Sequence, residues 1–236
     1  MRKKYKFILP TLLAVFLFCC LFSATIKNRT LSTASTPILS KKIIIDAGHG
    51  GFDGGAVADD GTSEKDINLS IALSVGEMLS TGGYEVIYTR MIDTGTEDNS
   101  NASISKRKVS DLNNRLKIIE EHPDAIFVSI HLNKFTATSA NGAQVFYSAN
   151  NIKSQDLGVS IQKSIVNLLQ KNNKRVVKKS DSSTFLLKNA TVPAVIVECG
   201  FVSNVKELEL LKDKSYQQQM AFAVYCGIED YMINEV

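Results

Sequence analysis

Three short stretches of this chain are apolar at nearly every position: KKIIID (41–46), AIFVSIHL (125–132) and PAVIVEC (193–199). A strand with one wet face alternates apolar and polar residues. A strand that is apolar at successive positions must be covered on both faces, and the common solution is a parallel sheet with helices packed on each side. YEVIYTR (84–90) reads as another strand of that sheet. GAQVFYS (142–148) alternates more and reads as a strand nearer an edge, and STFLLK (183–188) as a further short strand.

Helical stripes separate these runs. Ile67, Ile71, Val75, Met78 and Leu79 recur at helical spacing and stop at Gly82-Gly83. Val109, Leu112, Leu116 and Ile119 do the same before His122-Pro123, as do Leu157, Ile161, Ile165, Leu168 and Leu169. Asn204 followed by Glu207 has the form of a capping box, and Tyr216, Met220, Ala223, Val224 and Ile228 mark a last amphipathic helix. The expected fold is α/β: an open, mostly parallel twisted sheet with helices on both faces, forming a single domain over 41–234.

The N-terminal stretch is of a different kind. MRKKYK is basic, and FILPTLLAVFLFCCLFSATI is an apolar run of spanning length. Residues 1–26 therefore read as a signal peptide or a transmembrane signal-anchor, with the domain beyond it outside the cytoplasm. Residues 27–40, rich in Ser and Thr, read as a flexible linker. Four of the 27 Lys and Arg residues (Arg2, Lys3, Lys4, Lys6) precede the apolar run, so the remainder is close to balance with the 24 Asp and Glu. That excludes a nucleic-acid binder driven by charge.

Unusual polar residues fall where such a fold places its ligands. His49 follows the first strand inside DAGHGGFDGG, His131 ends AIFVSIHL, and Glu198 ends PAVIVEC. Parallel strands would bring all three to the carboxyl edge of the sheet. Glu64, in GTSEKD before the first helix, belongs to a loop at the same edge. Two imidazoles and two carboxylates suit a metal centre: three protein ligands with one open position, and a second acid left as a base. The spacing is not that of a local HExxH helix, and the glycine cluster is not a phosphate loop. His122 reads as an exposed turn residue. Cys199 should point away from Glu198, and it and Cys226 read as two thiols rather than a bridge. Asp46 and Asn133 are possible partners that orient the histidines. Arg90, at a strand end, is a possible receptor for a peptide carboxylate.

The blocks IIIDAGHGGFDGGA, EKDINLSIA, VSIHLN, GAQVFY and PAVIVECGFVSN, in this order, resemble the zinc-dependent N-acetylmuramoyl-L-alanine amidases of bacterial cell walls. The resemblance runs from Lys41 almost to the carboxyl end. It implies one zinc per domain, held by His49, Glu64 and His131, with Glu198 as the catalytic acid/base; only the resemblance chooses Glu64 over its neighbour Asp66. It implies peptidoglycan as substrate, with glycan strands carrying peptide stems. A bare catalytic domain behind one apolar segment, and Gln144 where many relatives carry an acid, are similar to the sporulation amidases that act on spore cortex. The stretch from His131 to Glu198 leaves no room for an additional occluding helix, so control would fall to a protein partner, timing or metal supply. The competing readings are a non-catalytic wall-binding module and another extracytoplasmic zinc peptidase or deacetylase.

Overall fold

The computed structural model describes residues 41–181 and 184–234. The proposed signal or anchor (1–26) and linker (27–40) lie outside the described residues. Six strands form one sheet: β1 (Lys42–Ala47), β2 (Glu85–Tyr88), β3 (Ile126–Asn133), β4 (Gln144–Tyr147), β5 (Lys178–Lys179) and β6 (Ala194–Phe201), in the order β2-β1-β3-β6-β4-β5. Four successive strands, from the edge strand β2 through β1 and β3 to β6, are parallel; β4 runs antiparallel to β6 and carries β5 in parallel on its outer side. The mostly parallel α/β sheet is the one the apolar runs require.

The described residues also form six helices: α1 (Glu64–Thr81), α2 (Ile104–Glu120), α3 (Lys153–Leu168), α4 (Phe185–Asn189), α5 (Val205–Lys212) and α6 (Lys214–Asn234). Alternation along the strands divides the core in two. Ile43, Ile45, Val128, Ile130, Val195 and Val197 face Ile67, Ile71, Val75 and Leu79 of α1, Leu157, Ile161 and Ile165 of α3, and Met220, Val224 and Ile228 of α6. Ile44, Phe127, Ala194 and Ile196 face the other way, onto Ile119 of α2 and Leu186 and Leu187 of α4. This second layer is thinner, and toward the carboxyl ends of the strands it gives way to polar residues.

Several sequence expectations change in detail. STFLLK is not a strand: Phe185 to Asn189 is a turn and a half of helix, and the short outer strand is Lys178–Lys179. Two apolar runs of this length cannot be told apart by periodicity. Val109 and Leu168 are exposed at the margins of their helical stripes. Asn204 does cap α5, its side chain accepting from the N–H groups of Lys206 and Glu207. Glu207 does not reach back to close the box; its oxygens accept instead from the N–H groups of Gly142 and Phe201. His122 is half-buried, with Nδ1 2.8 Å from the Ile118 carbonyl at the end of α2. Cys199 lies in the thick layer, opposite Glu198, and both Cys199 and Cys226 are free thiols.

One ion pair sits inside this frame. Asp46 and Arg115 are each 1% exposed and bonded to one another. Ser129 and Thr89 donate to the same carboxylate, and Asp111 accepts from Arg115 Nε at 2.8 Å. Burial alone would raise the pKa of Asp46, but Arg115 and the two hydroxyls outweigh it and hold it at about 2. A carboxylate depressed from 3.8 to about 2 contributes stability that is complete above pH 4 and is lost as pH falls through 2, about 2 kcal/mol in all. Asp46→Asn, which strands the buried guanidinium, is expected to cost about 3–5 kcal/mol at pH 7 and to flatten that acid limb; urea unfolding between pH 2 and 7 measures both.

Candidate metal centre

The chain leaves β1 through Gly48, whose N–H donates to Ile130 O at 3.0 Å. The next residue, His49, has φ +61°, the one left-handed non-glycine residue described. Such a backbone persists only when its surroundings impose it. Here two buried guanidiniums do so. Arg115 donates to the carbonyls of Ala47 (2.9 Å) and His49 (2.7 Å). Arg90 donates to those of Ala47 (2.9 Å) and Gly48 (3.1 Å). Three successive carbonyls are thus fixed, and the His49 ring is aimed across the sheet edge.

His131 extends the Phe127–Ser129 face of β3, and Glu198 is its cross-strand partner on β6. The ladder then shifts register between His131 and Asn133, with one additional residue on β6, a bulge of the kind that re-aims side chains at sites. Glu64 arrives from the thick side as the first residue of α1, rather than from the loop before it, and is 3% exposed. Its Oε1 lies 3.0 Å from His131 Nδ1 and 3.4 Å from His49 Nε2, and accepts from Leu132 N–H (3.0 Å) and Asn68 Nδ2 (3.1 Å). Its Oε2 accepts from Ala56 N–H at 2.7 Å. One potential ligand atom each from His49, Glu64 and His131 falls within 4.8 Å of the others.

Two imidazole nitrogens and a carboxylate oxygen are the donor set of a catalytic zinc site, and the cradle fits it. A Cβ on Gly48 would come within 2.2 Å of His131 Nε2, and one on Gly55 within 2.6 Å of both Glu64 Oε2 and the His49 ring, so the backbone is packed directly against the donors. His49 Nδ1 lies 2.9 Å from Asp53 Oδ2, a contact that fixes the ring and, in the neutral imidazole, favours the tautomer with Nε2 open to a metal. Without a cation the acids and imidazoles pair with one another, and a metal would take the place of the imidazole proton. Burial alone would raise Glu64, yet the two imidazoles hold it well below the usual carboxylate range. Burial alone would lower His49, yet Asp53 and Glu64 lift it to about 9. The pocket over the edge is lined by His49, His131, Asp53, Lys108, Leu112 and Leu186, among others.

Glu198 stands apart from these pairs. Its Oε2 is enclosed with no hydrogen-bond partner, and burial, with the nearby Glu64 charge, pushes it up to about 7 against the opposing influence of the two histidines. A carboxyl of that kind exchanges a proton near neutral pH.

The remaining sequence candidates fall elsewhere. Asp46 bonds Arg115, Ser129 and Thr89 and neither imidazole; it supports His49 only through Arg115. Asn133 contributes its backbone carbonyl, which accepts from Val202 N–H. Arg90 is 5% exposed and spends its donors on the carbonyls of Ala47, Gly48, Lys65 and Ile92, so it is neither a surface ion pair nor open to a peptide carboxylate. Two supporting residues were missed. Asp53 was inside the glycine-rich block but had no distinguishing pattern. Arg115 did carry a signal: it sits three residues after Leu112 and four before Ile119, a charge on the apolar face of α2.

Comparison with known proteins gives the chain a family. The family model described as N-acetylmuramoyl-L-alanine amidase matches residues 43–230, and the chain belongs to that family of hydrolases. It is similar to the germination-specific N-acetylmuramoyl-L-alanine amidase of Bacillus subtilis, 35% identical over 98% of this chain and 96% of that one. Among solved structures it is similar to the CwlD amidase from Clostridioides difficile in complex with the GerS lipoprotein: TM-score 0.79, 42% identity, 82% of this chain and 99% of that one. An N-acetylmuramoyl-L-alanine amidase from Clostridium difficile 630 superposes with TM-score 0.71 at 26% identity, covering 84% of this chain and 99% of its own.

Removing the Asp53 carboxylate frees the His49 ring and its tautomer. Asp53→Ala is expected to weaken zinc affinity about 10–100-fold, read by competition with a chelator, with the unfolding midpoint of the metal-free protein little changed.

Proposed function

We propose that the protein is a zinc-dependent amidase that hydrolyses the bond between N-acetylmuramic acid and L-alanine in peptidoglycan. The observation that carries this reading is the enclosed, unpartnered Glu198 carboxyl beside a His-Glu-His donor set at one edge of an amidase-family sheet. A pure binding module would gain nothing from burying that acid.

His49, Glu64 and His131 would hold the ion. Bound there, zinc supplies Lewis acidity toward water and the scissile carbonyl. The Glu198 carboxylate takes the proton from water and returns it to the departing alanine nitrogen, so one residue serves as base and then acid. Burial of this carboxyl favours its protonated form and so opposes the pull of the nearby cation. Arg115 and Arg90 hold the His49 backbone throughout, and Asp53 holds its ring. The products are a glycan with a free lactyl carboxylate and a stem peptide with a free alanine amine.

The likeness to the germination-specific amidase of Bacillus subtilis supports a role on spore peptidoglycan, within sporulation. That the similar Clostridioides difficile amidase was solved with a lipoprotein supports a protein partner here as well. Residues 1–26 would act as signal peptide or membrane anchor and 27–40 as a linker, carrying the catalytic domain (41–234) outside the cytoplasm. Among the described residues no helix is long and apolar enough to cross a membrane.

Digestion of defined muropeptides, with mass analysis of products, tests the activity. Release of intact stems with a free L-alanine amino terminus, abolished by chelator and restored by zinc, is expected; cleavage inside the stem or loss of acetate would identify a peptidase or deacetylase instead. Glu198→Gln is expected to retain zinc and lose at least about a hundredfold in kcat, whereas His49→Ala loses the metal. An active Glu198→Gln protein would remove the acid/base role.

A further inference from the structure

Four arginines lie among the described residues, and three are spent. Arg90 bonds backbone carbonyls, Arg107 is paired with Glu97 at 2.5 Å, and Arg115 is paired with Asp46 and Asp111. Arg175 has no carboxylate partner among the described residues. The acid whose field it feels, Glu207, has both oxygens engaged by the N–H groups of Gly142 and Phe201.

Arg175 is nevertheless held in place. Its Nε–H donates to Asn141 O at 2.8 Å, its Nη1–H donates to Gln144 Oε1 at 2.9 Å, and its guanidinium lies 4.6 Å from the centroid of the Phe201 ring. Gln144 is fixed in turn, its Nε2–H donating to Val176 O at 3.0 Å. Nη2 has no protein acceptor among the described residues. A half-buried guanidinium pinned on one side with an open amino group on the other is a preorganised anion receptor, since little rotamer freedom remains to be lost on binding.

Its location gives it a substrate. Along the carboxyl edge the order follows the strands: His49 after β1, His131 on β3, Glu198 on β6, then Gln144 on β4 as the direct cross-strand partner of Glu198. Gln144 and Glu198 share a face, and Arg175 is bonded to the Gln144 side chain on the far side from Glu198's neighbour His131. The amine that Glu198 protonates is the first residue of the stem peptide. The stem therefore departs on the Glu198 side, toward β4. One residue spans about 3.3–3.6 Å and one strand spacing is about 4.8 Å. A carboxylate on the residue after alanine, about 7 Å along, thus falls one to two strands beyond the reacting centre. On the opposite side Lys108 is engaged by Asp53 at 3.0 Å and is not free for this purpose.

Resting on the amidase reading above, we propose that Arg175, positioned by Gln144, Asn141 and Phe201, binds a carboxylate of the stem peptide next to the scissile alanine, so that the enzyme selects stems whose second residue carries a free acid over those in which it is a carboxamide. The test uses the full-length protein and two synthetic muramoyl peptides that differ only in that group. The wild type is expected to favour the free acid by about 10–100-fold in kcat/KM, mainly through KM. Arg175→Gln should bring the acid substrate down to the level of the amide with zinc content unchanged, and Arg175→Lys should restore part of the preference. Equal cleavage of the two substrates by the wild type would overturn the proposal without needing any variant. So would an Arg175→Gln protein that loses the same factor on both substrates, because Arg175 would then act only on the scaffold. Failure of the wild type to release a stem from either peptide would defeat the amidase reading itself, and the proposal with it.

Discussion

Two guanidiniums buried at the end of β1 fix the turn from which the rest of the site is built. Arg115 and Arg90 between them accept no freedom in the carbonyls of Ala47, Gly48 and His49, and so impose a left-handed backbone on a residue with a full side chain. A buried cation is costly unless it is compensated: Arg90 is met by four backbone carbonyls, and Arg115 by the carboxylate of Asp46, near the end of β1. Asp46 is itself satisfied by hydroxyls from β3 and from the end of β2. The arrangement ties three parallel strands and helix α2 to the orientation of one imidazole. Strand register and ring direction are therefore not separately adjustable.

The site also depends on the unequal thickness of the two layers. Three long helices fill the side of the sheet that carries Ile43, Val128 and Val197, while the other side has only α2 and the short α4. Polar residues at the carboxyl end of the thin side can therefore meet solvent and substrate without breaching the main core. Glu64 is the exception: it reaches the centre from the N-terminus of a thick-side helix, where the helix dipole and the N–H groups of Ala56 and Leu132 favour its charge. Two carboxylates in one small volume thus differ in state because one is fully hydrogen-bonded and the other is not.

Much of this was legible in the residue order. Apolar runs in IIID, AIFVSI and AVIVEC specified covered strands, and covered strands specified parallel pairing. From there His49, His131 and Glu198 had to share an edge. What the order could not supply was anything set by side-chain reach across the fold. Arg90 was placed at the edge correctly, but whether an arginine turns out to substrate or in to carbonyls depends on a neighbouring turn that sequence does not describe. Arg115 is legible as a charge on an apolar helical face, but its partner Asp46, 69 residues away, is not. STFLLK became helix because a few apolar residues fit either period, and the thin layer, not local preference, decided.

The central claim is that His49, Glu64 and His131 jointly hold one zinc ion beside Glu198. Anomalous diffraction from crystals of the zinc-loaded protein, measured on both sides of the zinc absorption edge, tests it without reference to activity. The account predicts a single strong peak bonded by His49, Glu64 and His131, with Glu198 close by but not a ligand. A peak coordinated by other residues, or one in which Glu198 replaces Glu64 in the coordination sphere, would contradict it.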